Sequence, residues 1–311
     1  MLMDDRLTMD VTEALVRDLL DDQHPDLAGL SVRRADRGWD NAVFRLGDDL
    51  ALRIPQRIAG AILIEHEREW LPTILDGVPD FGAGGLDASP HLRDGHAACG
   101  YPWSWAIIPW HHGDVAAHAA PVDPVDAARR LGRFCAALHR PAQAGAPDNP
   151  WRGGPVPDRG AMLAEHLDRV EFLGRTLGEG VDRREVETAF AELAAVEADT
   201  GPPSWLHGDL HLGNLIVRDG ALRAAIDFGD VTAGDRATDL SVAWPMFPDD
   251  DRVRSTFRTV AGTHRAIDDA TWTRARAWSI ALGVAYLQGA FTTPERTEIA
   301  SRGLAAALAG P

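Results

Sequence analysis

The sequence predicts an α+β fold of two lobes, a small mixed lobe over residues 1–109 and a larger, mainly helical lobe over 110–311. Three observations predict it. Short β-rich runs parted by Gly, Asp and Asn turns crowd the first third. Long runs with apolar residues at helical spacing dominate beyond about residue 120. Between them, Pro109 to Gly113 reads as a crossing segment.

Taken in order, Asp10 to Leu20 carries Val11, Leu15, Val16 and Leu19 at helical spacing, with Asp10 placed to cap the helix. Leu30 to Arg34 and Ala42 to Leu46 read as strands joined through the turn Gly38-Trp39-Asp40-Asn41. The turn at Gly47 to Asp49 leads to a third strand, Leu50 to Ile54. Ile58 to Leu75 is helical, and Pro72 should distort its last turns because proline lacks the N–H that a helix interior uses. Gly82 to Gly100 reads as a loop or loose hairpin, and Trp103 to Ile108 as an apolar strand. Three helices follow, at Asp123 to His139, Asp158 to Leu177 and Asp182 to Ala198. A strand-rich island at Trp205 to Phe228 comes next, then three or four helices from about Arg236.

The composition narrows the function before any motif does. A net charge of −16 disfavours nucleic acid or an anionic membrane as partner and suits a cationic small molecule. The most apolar stretch, Ala277 to Ala290, is too short and too polar to span a bilayer and reads as a buried helix. The acidic opening Met1-Leu2-Met3-Asp4-Asp5 does not resemble a secretory signal. Cys99 and Cys135 stand in no metal-ligand spacing, so a reducing, cytoplasmic setting is expected. All 31 Lys and Arg residues are arginine.

Chemistry concentrates in Trp205-Leu-His207-Gly208-Asp209-Leu-His211-Leu-Gly213-Asn214 and in Ile226-Asp227-Phe228-Gly229. Phosphoryl transfer needs an oxygen nucleophile held in line and metal ions that neutralise the β- and γ-phosphates. Asp209 can accept the proton of a substrate hydroxyl. Asn214 and Asp227 offer a neutral and a charged oxygen to a hard cation such as Mg2+. A hairpin turning at Arg218-Asp219-Gly220 should bring Asp227 back toward Asn214.

At these residues the sequence resembles the aminoglycoside phosphotransferase family, bacterial kinases of antibiotics and other small molecules. The family's His-Gly-Asp-x-x-x-x-Asn loop matches His207 to Asn214, and its Ile-Asp-[Phe/Leu/Trp]-Gly motif matches Ile226 to Gly229. Asp235-Arg-Ala-Thr-Asp239-Leu240 fits the family pattern that braces the catalytic loop, and Leu131 to His139 resembles the helix before the substrate region. The resemblance implies a protein-kinase-like fold with an antiparallel sheet in the small lobe. It also implies a kinase transferring the γ-phosphoryl group of ATP or GTP to a hydroxyl of a small molecule, an aminoglycoside or related antibiotic first. A macrolide, homoserine, choline or sugar kinase of the same fold is the alternative, and a non-catalytic nucleotide-binding protein a third reading.

The resemblance assigns Asp209 as catalytic residue and Asn214 and Asp227 as Mg2+ ligands. It assigns Gly38, Trp39, Asp40, Asn41, Arg53, Glu69, Pro109, Trp110 and His111 to the nucleotide. Arg53 stands where the family usually has lysine, and Glu69 aligns with the glutamate that pairs with that base. Arginine keeps its charge and can grip phosphate bidentately. The phosphate loop, Gly38-Trp39-Asp40-Asn41, lacks the repeated glycines of protein kinases, though turn N–H groups can still cradle phosphate. Glu165, Asp168 and Asp235 are candidates for the acceptor pocket. Nucleotide preference, acceptor and oligomeric state stay open at this level.

Overall fold

A computed structural model describes residues 8–37, 40–76, 85–288 and 294–310. These divide into two compact units. One holds the described residues up to 76 together with Ser89–His112 and Asp227–Asp230, and the other holds 85–88, Gly113–Ile226 and the described residues from Val231 onward.

The first unit begins with α1 (Glu13–Gln23). Its cap is Thr12 rather than Asp10, because the chain runs extended through fully buried Val11 before the helix starts. The Thr12 hydroxyl then accepts from the Leu15 N–H at 3.2 Å. Strands β1 (Val32–Arg37), β2 (Asn41–Leu46) and β3 (Leu50–Pro55) precede α2 (Ile58–Asp76), followed by β4 (Arg93–Gly95) and β5 (Trp105–Pro109). They form a five-stranded sheet in the order β1-β2-β3-β5-β4, with every neighbouring pair antiparallel. Of the segment Gly82 to Gly100, expected as a loop or loose hairpin, the residues described from 85 onward include β4, which pairs with β5 beyond that segment, Arg93 opposite Ile107 and Gly95 opposite Trp105. One face of the sheet packs Phe44, Leu46, Leu52, Ile54 and Trp105 against Val16, Leu19 and Leu20 of α1. Helix α2 continues through Pro72 to Asp76, and its buried stripe runs Gly60, Ile64, Glu67, Leu71, Ile74. That spacing of three and four is the helical period, and it places an acid among apolar residues.

The second unit contains β6 (Asp114–Val115), α3 (Pro124–Leu138), α4 (Gly160–Phe172), α5 (Arg183–Ala194), β7 (Ser204–Leu206), β8 (Leu215–Arg218), β9 (Ala221–Ala225) and β10 (Thr232–Gly234). Helices α6 (Ala237–Leu240), α7 (Ala243–Met246), α8 (Asp251–Ala261), α9 (Asp269–Gln288) and α10 (Pro294–Ala309) complete it. The region after Arg236 thus holds more, shorter helices than expected, since Pro245 and Pro248 punctuate it. Asp123, Asp182 and Asp250 cap α3, α5 and α8 by accepting first-turn N–H groups. Helix α9 is buried over most of its surface, including Trp272, Trp278, Ile280, Val284 and Leu287, and packs against α4, α5, α6 and α10. Among the described residues no helix is long and apolar enough to cross a membrane.

The β8–β9 hairpin turns on Asp219 and Gly220, both at positive φ (53° and 71°), the two-residue turn whose twist matches the strands. β8 also pairs with β6, so the hairpin forms a three-stranded sheet, and β7 pairs with β10.

Candidate active site

In the first unit the site is built around Arg53, on β3. Its side chain is only 4% exposed, which makes its charge dependent on partners. Nη1 donates to Glu67 Oε2 at 2.5 Å and Nη2 to Asp227 Oδ1 at 2.6 Å. Burial works against the guanidinium, but Asp227 and then Glu67 more than restore it, so Arg53 stays charged. The partner is Glu67 and not the expected Glu69. On a helix, residues two apart point to nearly opposite sides, and Glu69 is exposed while Glu67 falls on the buried stripe. Burial raises the Glu67 carboxyl, yet Arg53 and His91 together hold it below its ordinary value. The apolar spacing Ile64–Leu71–Ile74 carries the signal for Glu67.

Asp227 has φ 63°, a left-handed conformation that aspartate tolerates better than most residues. Its side chain is 48% exposed, and its Oδ1 is the atom engaged by Arg53. Of the residues assigned to the nucleotide, Gly38 and Trp39 lie outside the described residues. Asp40 accepts the Gln56 N–H through its backbone carbonyl at 2.7 Å. Asn41 begins β2 with its Oδ1 buried and unpaired among the described residues. Pro109 ends β5 opposite Leu50. Trp110 donates its N–H to the Asp49 carbonyl at 2.8 Å, and the Arg45 guanidinium covers its ring at 5.3 Å, so one ring face is already used. His111 follows, half-buried.

In the second unit the loop His207–Asn214 leaves β7 and is held from below by one acid. Asp239, fully buried on α6, accepts the His207 N–H through Oδ2 at 2.8 Å and the Gly208 N–H through Oδ1 at 3.0 Å. Gly208 has φ 83°, a conformation that costs a side-chain-bearing residue energy, and here it turns consecutive N–H groups onto one carboxylate. His139, just after α3, contributes Nε2 at 3.0 Å to Asp239 Oδ2. Both ring nitrogens of His207 are engaged by the backbone. Its Nδ1 accepts the Asp209 N–H at 3.3 Å while Nε2–H donates to the Ile226 carbonyl at 3.0 Å. The same strand end is tied to Asn214, whose carbonyl accepts the Ile226 N–H at 2.9 Å.

The structure brings Asp209 and Asn214 together. Asn214 Nδ2 donates to the Asp209 carbonyl at 2.9 Å and reaches its Oδ2 at 3.4 Å. This orients the amide so that its oxygen is left as the acceptor end. Two further groups, neither predicted, hold the Asp209 carboxylate. Arg152 Nη2 donates to Oδ1 at 3.0 Å, and His211 Nε2 lies 3.3 Å from Oδ2. The His211 Nδ1 accepts the Gly213 N–H at 2.9 Å, and its ring packs on Tyr286 at 5.2 Å. Burial pushes the Asp209 carboxyl up, but His211 and Arg152 overcome it and hold the acid well below the usual carboxylate range.

Arg152 is placed by a close backbone approach. Gly153 has φ 72°, and its carbonyl lies 2.3 Å from where a Cβ on Gly234 would stand, so the loop before α4 can lie directly on β10. The Asp235 N–H donates to the Gly153 carbonyl at 2.8 Å, and the Gly153 N–H to the Thr238 hydroxyl at 3.1 Å. Arg152 is far from the loop in sequence, and no local pattern marks it.

Of the acids considered for the acceptor, Asp235 is committed to structure, with Oδ2 accepting from Arg274 at 2.6 Å and Oδ1 from the Ala237 N–H at 3.0 Å. Asp168 pairs with Arg183 at 2.6 Å on the surface. Among the described residues no three His, Cys, Asp or Glu side chains form a metal cage. Asn214 carries an amide oxygen and Asp227 a carboxylate, each a donor type that a hard cation such as Mg2+ accepts.

Residues 31–278 match the family described as "Phosphotransferase enzyme family". No curated protein matches the chain. Among solved structures it is similar to the GDP complex of wild-type aminoglycoside 2'-phosphotransferase-IIIa, with 18% identity and a TM-score of 0.65 over 96% of this chain and 99% of that one. It is also similar to the macrolide 2'-phosphotransferase MphH from Brachybacterium faecium, an apoenzyme, with 19% identity and a TM-score of 0.60 over 93% and 97%. A third is the gentamicin complex of APH(2")-IIa, at 16% identity and a TM-score of 0.57 over 97% and 98%. At such identities the likeness establishes the fold, the α+β architecture of these kinase-like enzymes.

Proposed function

This chain belongs to the phosphotransferase enzyme family, and we propose that it is a cytoplasmic kinase moving the γ-phosphoryl group of ATP or GTP onto a hydroxyl of a small molecule. The observation that carries this reading is the Asp209 carboxylate, kept ionised and fixed in orientation on a loop clamped by Asp239. Asp209 orients the acceptor hydroxyl and takes its proton as the new O–P bond forms and the bond to the β-phosphate oxygen breaks, releasing the nucleoside diphosphate. A loose transition state asks more for positioning than for strong basicity, which suits an acid held so low. Arg53, kept charged by Glu67 and Asp227, places a cation for the donor phosphates. Gly38, Trp39, Asp40 and Asn41 are assigned to the phosphates, and Pro109, Trp110 and His111 to the base. Asn214 and Asp227 would hold magnesium, which when bound neutralises charge on the β- and γ-phosphates.

The acceptor class proposed first is an aminoglycoside or related antibiotic, in keeping with the −16 net charge and the family resemblance. One observation favours a second reading, an acceptor uncharged near its reacting hydroxyl, such as a macrolide. Among the described residues, the side chains that reach the Asp209 carboxylate are Arg152, His211 and Asn214, with no other carboxylate among them. A cationic group there would meet the Arg152 charge. Phosphate transfer from labelled ATP and GTP, with magnesium, to a panel of aminoglycosides, macrolides, homoserine, choline and sugars tests both. Transfer to at least one acceptor is expected, and transfer to none would defeat the proposal.

A further inference from the structure

Glu67 is fully buried, and its two oxygens face different partners. Oε2 accepts from Arg53, whereas Oε1, without a hydrogen bond among the described residues, faces His91 Nε2, likewise without one there, 3.5 Å away. The other ring nitrogen of His91, Nδ1, lies 3.0 Å from Asp94 Oδ1 on β4. An imidazole flanked by carboxylate oxygens on both nitrogens can donate to both only when both carry protons, as the imidazolium. In the neutral form one nitrogen would turn a lone pair toward a carboxylate oxygen, and for Glu67 that contact is sealed from water.

We propose that His91, as an imidazolium bridging Glu67 on α2 to Asp94 on β4, is a positioning residue that holds Glu67, and through it Arg53, for the phosphoryl donor. The inference rests on the reading of Arg53 as the donor's phosphate-binding base. Among the described residues, the charges that face His91 come from three elements: Glu67 on α2, Asp94 on β4 and, one step beyond Glu67, Arg53 on β3. Burial and Arg53 oppose the His91 charge, but Glu67 and Asp94 outweigh them, and the imidazole is raised above its ordinary value. The sign follows. A raised folded value means the bridge is complete below the unfolded histidine value and is lost as pH rises through the folded one. Donor affinity therefore falls with rising pH over that window, and so does the stability the bridge supplies.

The test is binding of fluorescent methylanthraniloyl-ADP and -GDP to the full chain with magnesium, from pH 5.5 to 8.5, alongside an NMR titration of the His91 ring. Wild-type affinity is expected to fall by about fivefold or more, the lower end of ordinary site-to-site coupling, in step with the His91 titration. His91→Gln, which keeps a neutral donor toward Glu67, is expected to bind with a flat pH profile, and His91→Leu to bind weakly at every pH. A His91 ring that titrates at or below the ordinary histidine value, or a wild-type profile as flat as that of His91→Gln, overturns the inference alone. Failure of the wild type to bind either nucleotide at any pH strikes the phosphoryl-donor reading, and the inference falls with it.

Discussion

The surroundings of Arg53 and the loop around Asp209 hold their functional side chains by opposite means. Around Arg53, charges are set against charges: guanidinium, two carboxylates and an imidazole come from β3, α2, the segment at Asp227 and the stretch just before β4, with little backbone involvement. Around Asp209, one buried acid collects consecutive backbone N–H groups and a histidine, while His207 ties the loop to the Ile226 carbonyl. The first arrangement depends on protonation and on every charged partner being present, because a buried charge left alone is costly. The second depends on a single acceptor whose loss would orphan several donors at once. A chain can thus fix one group by local backbone geometry and another only by assembling distant charges.

Substitutions can break or sharpen this contrast. The largest effect is expected from Asp209→Ala, with turnover falling by about 10²–10⁴, the span usual for a positioned acid–base group. Steady-state rates with an accepted hydroxyl substrate provide the measurement, and unchanged turnover would remove Asp209 from the chemistry. Asp239→Ala should come next as a stability effect of about 3–5 kcal/mol, since it strands buried donors. Urea unfolding would read it, and a loss under ~1 kcal/mol would show that the loop does not need its brace.

Glu67→Gln is expected to weaken donor binding and cost about 1.5–3 kcal/mol, the value of hydrogen bonds to charged groups. Glu69→Gln, two positions on, should stay within about 0.5 kcal/mol of wild type. Equal effects from the two variants, measured by thermal shift and nucleotide titration, would undo the assignment of the Arg53 partner. Arg152→Gln should raise turnover of cationic acceptors relative to neutral ones by up to about fivefold, the upper end for a partly exposed charge contact. An acceptor profile that does not move would return the choice between the two acceptor readings to the net charge.

Much of the second region could be read from the sequence because its parts are close in the chain. His207, Asp209 and Asn214 share one loop, and the Asp219-Gly220 turn dictates the hairpin that follows. The bracing acid, Asp239, belonged to a recognisable pattern even though it reaches back to residues 31 and 32 positions earlier. The structure departs from the motif pattern where a helical face decides burial or where a distant loop comes in. Alignment by motif favoured Glu69, whereas the apolar period of α2 puts Glu67 inside. Similarly, Asp235 looked available to an acceptor until its pairing with Arg274, 39 positions away, took both oxygens.

The sequence by itself determined the succession of the longer strands and helices, the α+β class, and which oxygen-bearing side chains sit on the His207–Asn214 loop and at Asp227. Each of these follows from short-range periodicity, turn chemistry or the spacing of a motif. Tertiary structure alone decided that Arg53 is neutralised by Glu67 and Asp227, that His91 backs Glu67, and that Arg152 and His211 press on Asp209. Those contacts join residues up to 174 positions apart, and burial determines how strongly the charges act on one another. Neither separation in space nor distance from water is written in the local run of residues.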